Sequence, residues 1–361
     1  MSDRQLAAVA LVSLWAAVAS LAVLVVRALG WSRVKPQKVT LVVLAAALLV
    51  LPSAAVWRKA LLYKERLLAI VLRKHSAPVA LGNGCSIFPQ NNIWNTPVRD
   101  LPVDANSAAY IQSIGPELPL HADFGAASGM AYAVTSGELP VATVAAGSPE
   151  SDAGPYRIPD DAPVENGTDR HVLILDSTNC RLYELYDAVR KGPLEWEAGS
   201  GAIFDLRANR LRPEGWTSAD GAGLPILPGL VRYEEARSGP IRHALRFTAR
   251  RTRRAFVWPA RHFASQSNDP HLPPMGQRFR LRATVPTDGF APETQAILNA
   301  LKEYGMMLAD NGGPWFLSGA PDSGWSRRVI EELRQIKGAD FEAVDIRGLE
   351  VEPGSAEARR P

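Results

Sequence analysis

Two long apolar runs open the chain. Residues 6–26 form 21 consecutive uncharged, mostly apolar positions, and residues 39–57 form a second run of 19 with Pro52 near its end. At 1.5 Å per residue the first covers a hydrocarbon layer of about 30 Å, and the second is shorter but adequate. Both exceed the apolar core of a secretion signal, and WSRVKPQK rather than a small-residue cleavage site follows the first. The pattern predicts a two-helix transmembrane hairpin over 1–57. Residues 58–75 keep apolar positions at Leu61, Leu62, Leu67, Leu68, Val71 and Leu72 among basic ones, which predicts an amphipathic linker helix at a membrane surface.

From residue 76 the pattern changes to short alternations. The segments 170–176 (RHVLILD) and 181–187 (RLYELYD) flank the turn STN and predict a hairpin. In its second strand, Leu and Tyr alternate with charged positions. Further strands are expected at 131–135, 202–206, 243–248, 255–259 and 277–283. The stretches 145–169 and 208–224 are dense in Gly, Pro, Asp and Asn and read as loops. Pro292 opens a helix that carries Ile297, Leu298 and Leu301 on one face and ends at Gly305. A second helix is expected over 326–336, a short one over 230–237, and a disordered tail over 350–361. The fold class expected for 76–349 is α+β but mainly β, a sandwich or partly closed barrel with peripheral helices.

Charge sharpens this division. The overall formal charge is +3, but residues 1–75 hold eleven Lys/Arg against Asp3 and Glu65, a net +9. The remaining 286 residues carry 29 basic and 35 acidic side chains, a net −6. The body therefore lacks the net basic footprint of a nucleic-acid binder, and the pairs Arg250-Arg251 and Arg253-Arg254 read as a solvated strand end. The four positive charges of 27–38 place that linker in the cytoplasm, which puts the body in the periplasm or outside the cell, with the lipid bilayer as its first partner. Cys85 and Cys180 are expected to pair there; in a cytoplasmic domain they would be buried thiols.

These motifs together carry a resemblance. The run from Cys85 through FPQNNIWNTPVRDLPVDANSAAYIQSIG, then RHVLILD, CRLYELYD, GWTSADGAGLPILPGLVRYEE, HALRFT, WPARH and YGMMLADNGG resembles a group of exported bacterial and fungal proteins. The similarity spans about residues 85–345. It implies a body that follows a secretion or membrane segment, and no particular activity.

Nucleophile and metal motifs are weak. GSGA at 199–202 lacks the spacing of a nucleophile elbow, and the short pairs His121/Asp123 and Asp169/His171 read as well as surface or capping residues as they do as ligands. No cofactor or catalytic metal is expected, while a structural calcium ion in the Asp/Asn loops stays open. Carboxylates, histidines and tryptophans in the loop motifs point instead to a glycan, cleaved by a hydrolase or lyase. Asp220, Glu235 and Asp310 are candidate acids or nucleophiles, and His243 and His262 candidate bases. Trp216, Trp258 and Trp315 offer flat faces for sugars, and Arg232, Arg246, Arg261 and Asn311 polar contacts. The competing expectation is a non-catalytic envelope domain that binds polysaccharide or protein through the same residues.

Overall fold

The computed structural model describes residues 85–360. The two apolar runs, the segment 58–75 and the start of the body at 76 lie outside the described residues. Contacts divide the chain into Met1–His75 and Ser76–Pro361, and all the described elements belong to the second unit. Among the described residues no helix is long and apolar enough to cross a membrane.

The body is mainly β. Its strands are β1 (His121–Asp123), β2 (Tyr132–Thr135), β3 (Thr143–Ala146), β4 (Val172–Asp176), β5 (Arg181–Tyr186), β6 (Val189–Gly192), β7 (Glu195–Ala198), β8 (Ser200–Asp205), β9 (Leu245–Ala249), β10 (Arg278–Leu281), β11 (Met306–Asn311), β12 (Phe316–Ser318) and β13 (Phe341–Ala343). The α-helices are α1 (Ser107–Ile114), α2 (Tyr233–Ser238), α3 (Pro292–Glu303) and α4 (Arg327–Leu333). Three sheets result, ordered β1-β12-β9-β11-β10-β13, β2-β4-β5-β8 and β3-β7-β6. None closes on itself, so the barrel alternative does not form.

The four-stranded sheet has no wet face at its centre. Every residue of β4 is buried; Leu173 and Leu175 join the larger core cluster, while Val172 and Ile174 join the smaller one with Trp196 and Ala198 of β7. An apolar run without alternation is what a strand buried on both faces requires. The same holds for β5, where Leu182 faces the larger core and Tyr183 and Leu185 the smaller. Glu184 is therefore not the solvent-facing charge that alternation predicts: it shares the face of Leu182 and is fully buried. The hairpin itself forms as read, with Val172 opposite Leu185 and Asp176 opposite Arg181. Its turn is tied by Asp176, whose Oδ1 accepts the N–H groups of Thr178 and Asn179.

In the six-stranded sheet β9 is the pivot, parallel to β11 and antiparallel to β12. Alternation puts Phe247 on one face, where its ring packs within 5.7 Å of those of Phe279 and Trp315. The opposite face carries a register row of polar groups. Arg278 of β10 lies opposite Met307 of β11, Met307 opposite Arg246 of β9, Arg246 bonds Ser318 of β12, and Ser318 lies opposite Asp123 of β1. Arg278 is fully buried; it donates to the carbonyls of Ile93 (2.7 Å) and Tyr304 (2.9 Å). Ile93 begins a 3-10 turn and Tyr304 is the C-cap of α3, so two backbone carbonyls, one at a helix C-terminus, take the place of a carboxylate partner.

Two expectations are corrected. Residues 255–259 form no strand, only the bridge of Phe256 to Met275, in a segment whose other bonds go to loops. Residues 350–360 are not a disordered tail: Ala356 and Ala358 are buried, Glu357 bridges Asn92, and Ser355 bridges Arg210. Two small side chains spaced by two suit a strip laid over the 91–92 and 209–210 backbone.

Cys85 and Cys180 form a disulfide across 95 residues of chain. In the chain-entropy picture such a link contributes about 4–5 kcal/mol. Replacing both cysteines by alanine in the full chain should lower the free energy of unfolding by that order, read from denaturant titration, with a steeper slope because the uncrosslinked unfolded chain exposes more surface.

Candidate functional site

The site grows from the polar row. Arg246 sits mid-strand in β9, buried on all sides, and a guanidinium there needs an anion. Asp220 supplies it: Nε and Nη2 of Arg246 each donate to a different Asp220 oxygen at 2.8 Å, and Nη1 donates to Ser318 Oγ at 2.5 Å. The bidentate fork fixes the loop carrying Asp220 against the sheet. The loop is tied further by Ser218, whose Oγ donates to the carbonyl of Leu224, and by Arg261 and His262, whose N–H groups donate to that of Ala222.

Gly221 then meets the end of β11. Its N–H donates to Asp310 Oδ2 at 2.9 Å, and a Cβ there would lie 2.3 Å from Asp310 Oδ1. Only glycine allows that approach. The carbonyl of Gly221 accepts from His262 Nδ1 at 2.8 Å, which leaves Nε2 of the half-buried ring without a partner among the described residues. Gly223, at φ +69°, lets the Trp216 backbone come close to Arg261 and His262.

Asp310 is electrostatically unusual. Burial of its carboxyl, reinforced by the nearby Asp220 carboxylate, pushes it up to about 7, against the pull of Arg246 and two backbone N–H donors. Its neighbour Asn311 is exposed and bonds Thr252 Oγ1 and the Ala264 carbonyl. A group that holds its proton near neutral pH suits general acid chemistry, and the free Nε2 of His262 suits a base.

Of the residues singled out in the sequence, the fold brings together Asp220, Asp310, His262, Arg246, Arg261, Asn311 and Trp216. The others lie elsewhere. Arg232, Glu235 and His243 make a separate buried triad, with Arg232 Nη2 2.9 Å from Glu235 Oε1 and His243 Nε2 3.3 Å from Glu235 Oε2. Burial would raise Glu235, but the charges of Arg232 and His243 outweigh it and hold the carboxyl down to about 2. Arg232 also donates to the carbonyl of Leu227, so the triad staples the start of α2 to the preceding loop and reaches no solvent. Trp315 is fully buried between Phe247 and Phe341, its Nε1 donating to the Gly115 carbonyl; it is a core residue and offers no face to a sugar. Trp258 is half-buried and donates to the Ser355 carbonyl under the C-terminal strip. Arg246 is enclosed too, its donors taken by Asp220 and Ser318.

Other ionisable groups surround this centre. Glu184 accepts the N–H groups of Ile226 and Leu227, and burial pushes it up to about 7. His171 is buried, with Nδ1 2.6 Å from Glu165 Oε2 and Nε2 facing the carbonyl of Ala219; burial lowers it, but the Glu165 carboxylate prevails and raises it. Asp123, exposed at the end of β1, is raised by partial desolvation of its carboxyl. The polar residue at the centre of RLYELY is the signal that points to Glu184; nothing local marks Glu165. His121, paired in the sequence with Asp123, stacks on Phe316 at 3.9 Å. Among the described residues no group of three His, Cys, Asp or Glu is placed to hold a metal ion. A cavity lined by Trp94, Arg212 and Pro259 measures ≈ 10 Å³, the space of about one water.

No known protein family, curated protein or solved structure matches the chain.

The charges set two measurable outcomes. Asp310 binds its proton more tightly in the folded chain than at the ordinary 3.8, so its contribution is greatest below about pH 4 and is lost as pH rises towards 7. Asp310→Asn removes that loss: relative to the native chain, the variant should gain stability steadily from pH 4 to 7 and no further above, as measured by denaturation at each pH. Glu235→Gln leaves Arg232 without its carboxylate and should cost about 3–5 kcal/mol of stability, with any activity per folded molecule retained.

Proposed function

We propose that the chain is a membrane-anchored envelope protein whose exported body acts on a glycan, as a hydrolase or lyase, at the Asp220–Asp310–His262 centre. The observation that carries this is Asp310: a carboxyl raised to about 7 at the exposed end of β11, beside a histidine whose Nε2 is free. In hydrolysis, neutral Asp310 protonates the glycosidic oxygen as the anomeric C–O bond breaks, while His262 takes a proton from the attacking water. In elimination from a uronate polymer, His262 takes the proton beside the carboxylate, the C–O bond to the leaving sugar breaks as a C=C bond forms, and Asp310 protonates the departing oxygen. Trp216, half-buried with the Arg212 guanidinium 5.6 Å from its ring, supplies an aromatic edge for a sugar ring on the loop that carries Asp220. Export is supported by the apolar runs at 6–26 and 39–57 and by the disulfide, which persists in oxidising compartments.

One observation favours a second reading, a non-catalytic domain that binds polysaccharide or a protein partner. Asp220 and Arg246 already satisfy one another, so neither has a free group for a reacting atom.

The full chain, solubilised in detergent, would be incubated with neutral and uronate polysaccharides while reducing ends and the absorbance of unsaturated uronates are followed. Catalysis predicts turnover that falls about 100-fold or more in Asp310→Asn and His262→Ala and survives in Glu235→Gln. Saturable binding without turnover leaves the binding module, and no response to any polymer refutes a glycan as the ligand.

A further inference from the structure

The body carries a net −6, yet five consecutive residues, 250–254, read Arg-Arg-Thr-Arg-Arg. This segment leaves β9 and runs beside the candidate site rather than away from it. Thr252 is fully buried and donates from Oγ1 to Asn311 Oδ1 at 2.7 Å. Asn311 follows Asp310, Asp310 accepts from Gly221, and Gly221 accepts from His262. The ring of His262 lies parallel to that of Phe263 at 5.5 Å, and the guanidinium of Arg254 stands 5.6 Å from the Phe263 centroid. The contacts thus close a loop from Thr252 back to Arg254 that passes through both candidate reacting groups.

The arginines on this ring have no anionic partner of their own. Among the described residues no carboxylate oxygen lies within 4.0 Å of the Arg250, Arg251, Arg253 or Arg254 guanidinium. Arg251 acts on Asp269, and Arg253 on Tyr110, only through longer-range charge. Arg250, Arg251 and Arg254 are exposed, and Nε of Arg253 is buried without a hydrogen-bond partner. Four cations in five residues repel one another; burying Thr252 against Asn311 fixes the middle of the segment, and Arg254 reaches the acid–base centre through Phe263. Such a cluster costs stability unless an anion screens it.

We infer that the segment 250–254 is the substrate-recognition element of the site and that the glycan it takes is acidic, bearing carboxylates or phosphates along its chain. Guanidinium groups bind both anions through paired N–H donors. Recognition of this kind places an anionic sugar ring against His262 and Asp310 without using Arg246, whose donors are spent. The aromatic face nearest the arginines, that of Phe263, already packs against His262 and Arg254, so stacked nucleic-acid bases have no open platform there. Acidic-glycan recognition rests on the glycan reading of the site, but its test reads binding and is independent of turnover.

The test compares full-length chain in detergent with Arg250→Gln/Arg251→Gln/Arg254→Gln, binding polygalacturonate, alginate and a phosphate-bearing polysaccharide, each against a neutral counterpart such as fully methyl-esterified pectin. The native chain should bind one or more acidic polymers at least tenfold more tightly than the neutral ones, and more weakly as salt rises. The triple variant should lose about tenfold on the acidic polymers and change little on the neutral ones, with a denaturation midpoint at or above that of the native chain, since removing the repelling charges costs the fold nothing. Asp310→Asn should keep the acidic preference, which separates recognition from catalysis: binding that survives without turnover in any protein removes the enzyme and leaves this inference standing. Equal binding of acidic and neutral polymers, an unaffected triple variant, or tighter binding to single-stranded RNA or to phosphatidylglycerol vesicles than to every acidic polysaccharide would overturn it.

Discussion

One buried ion pair organises the body. An arginine in the middle of a strand with no exposed residue is a liability that only a well-aligned carboxylate relieves, and Asp220 meets Arg246 with two parallel hydrogen bonds. That pairing draws the 216–224 loop onto the sheet, and the rest of the site depends on it. Gly221 is brought within hydrogen-bond reach of Asp310, its carbonyl orients His262, and the Asp220 charge helps keep a proton on Asp310. The pair is a scaffold for chemistry done by its neighbours. Arg278, two strands away on the same face, solves the same problem differently, by donating to two backbone carbonyls, one of them at the C-terminus of α3.

Much of the local structure was legible in the residues. The STN turn between two apolar runs, Pro292 at the start of α3 and the apolar spacing within 326–336 mark elements that form within three residues of where the pattern places them. Glu184 is misread because period-two alternation assumes one dry face. Between two sheets there is no wet one, so Glu184 turns inward to accept backbone N–H groups. The polar face of β6 and β7 hides those strands for the opposite reason, since their inward residues are few. Residues 350–360 look like a tail because Gly, Pro and charges dominate them, yet two alanines suffice to seat them.

The candidate site was legible as a set of motif regions and illegible as an arrangement. Asp220, Glu235 and Asp310 are equivalent in sequence, each a carboxylate in a dense motif. What each one meets decides its character: Arg246, 26 residues away, for Asp220; Arg232, 3 residues away, for Glu235; burial and the Asp220 carboxylate, 90 residues away, for Asp310. Glu235, with Arg232 and His243 against it, is held ionised and enclosed; Asp310, beside another carboxylate, is pushed the other way. Trp315 misleads in the same manner. Its Asn-Gly-Gly-Pro setting suggests a loop surface, but the turn folds the indole beneath the sheet.

The disulfide has a mechanical meaning as well. Cys85 is the first described residue, and its bond leads directly to Cys180 at the start of β5, in the hairpin at the middle of the four-stranded sheet. A pull applied through the preceding chain therefore enters the hairpin across sulfur and bypasses the 94 residues in between. It reaches first the turn that joins β4 to β5, the two central strands of the sheet. Without the cross-link, the same tension would peel residues 86–98 away one contact at a time, starting with the segment that holds Trp94 and Asn95 against the core.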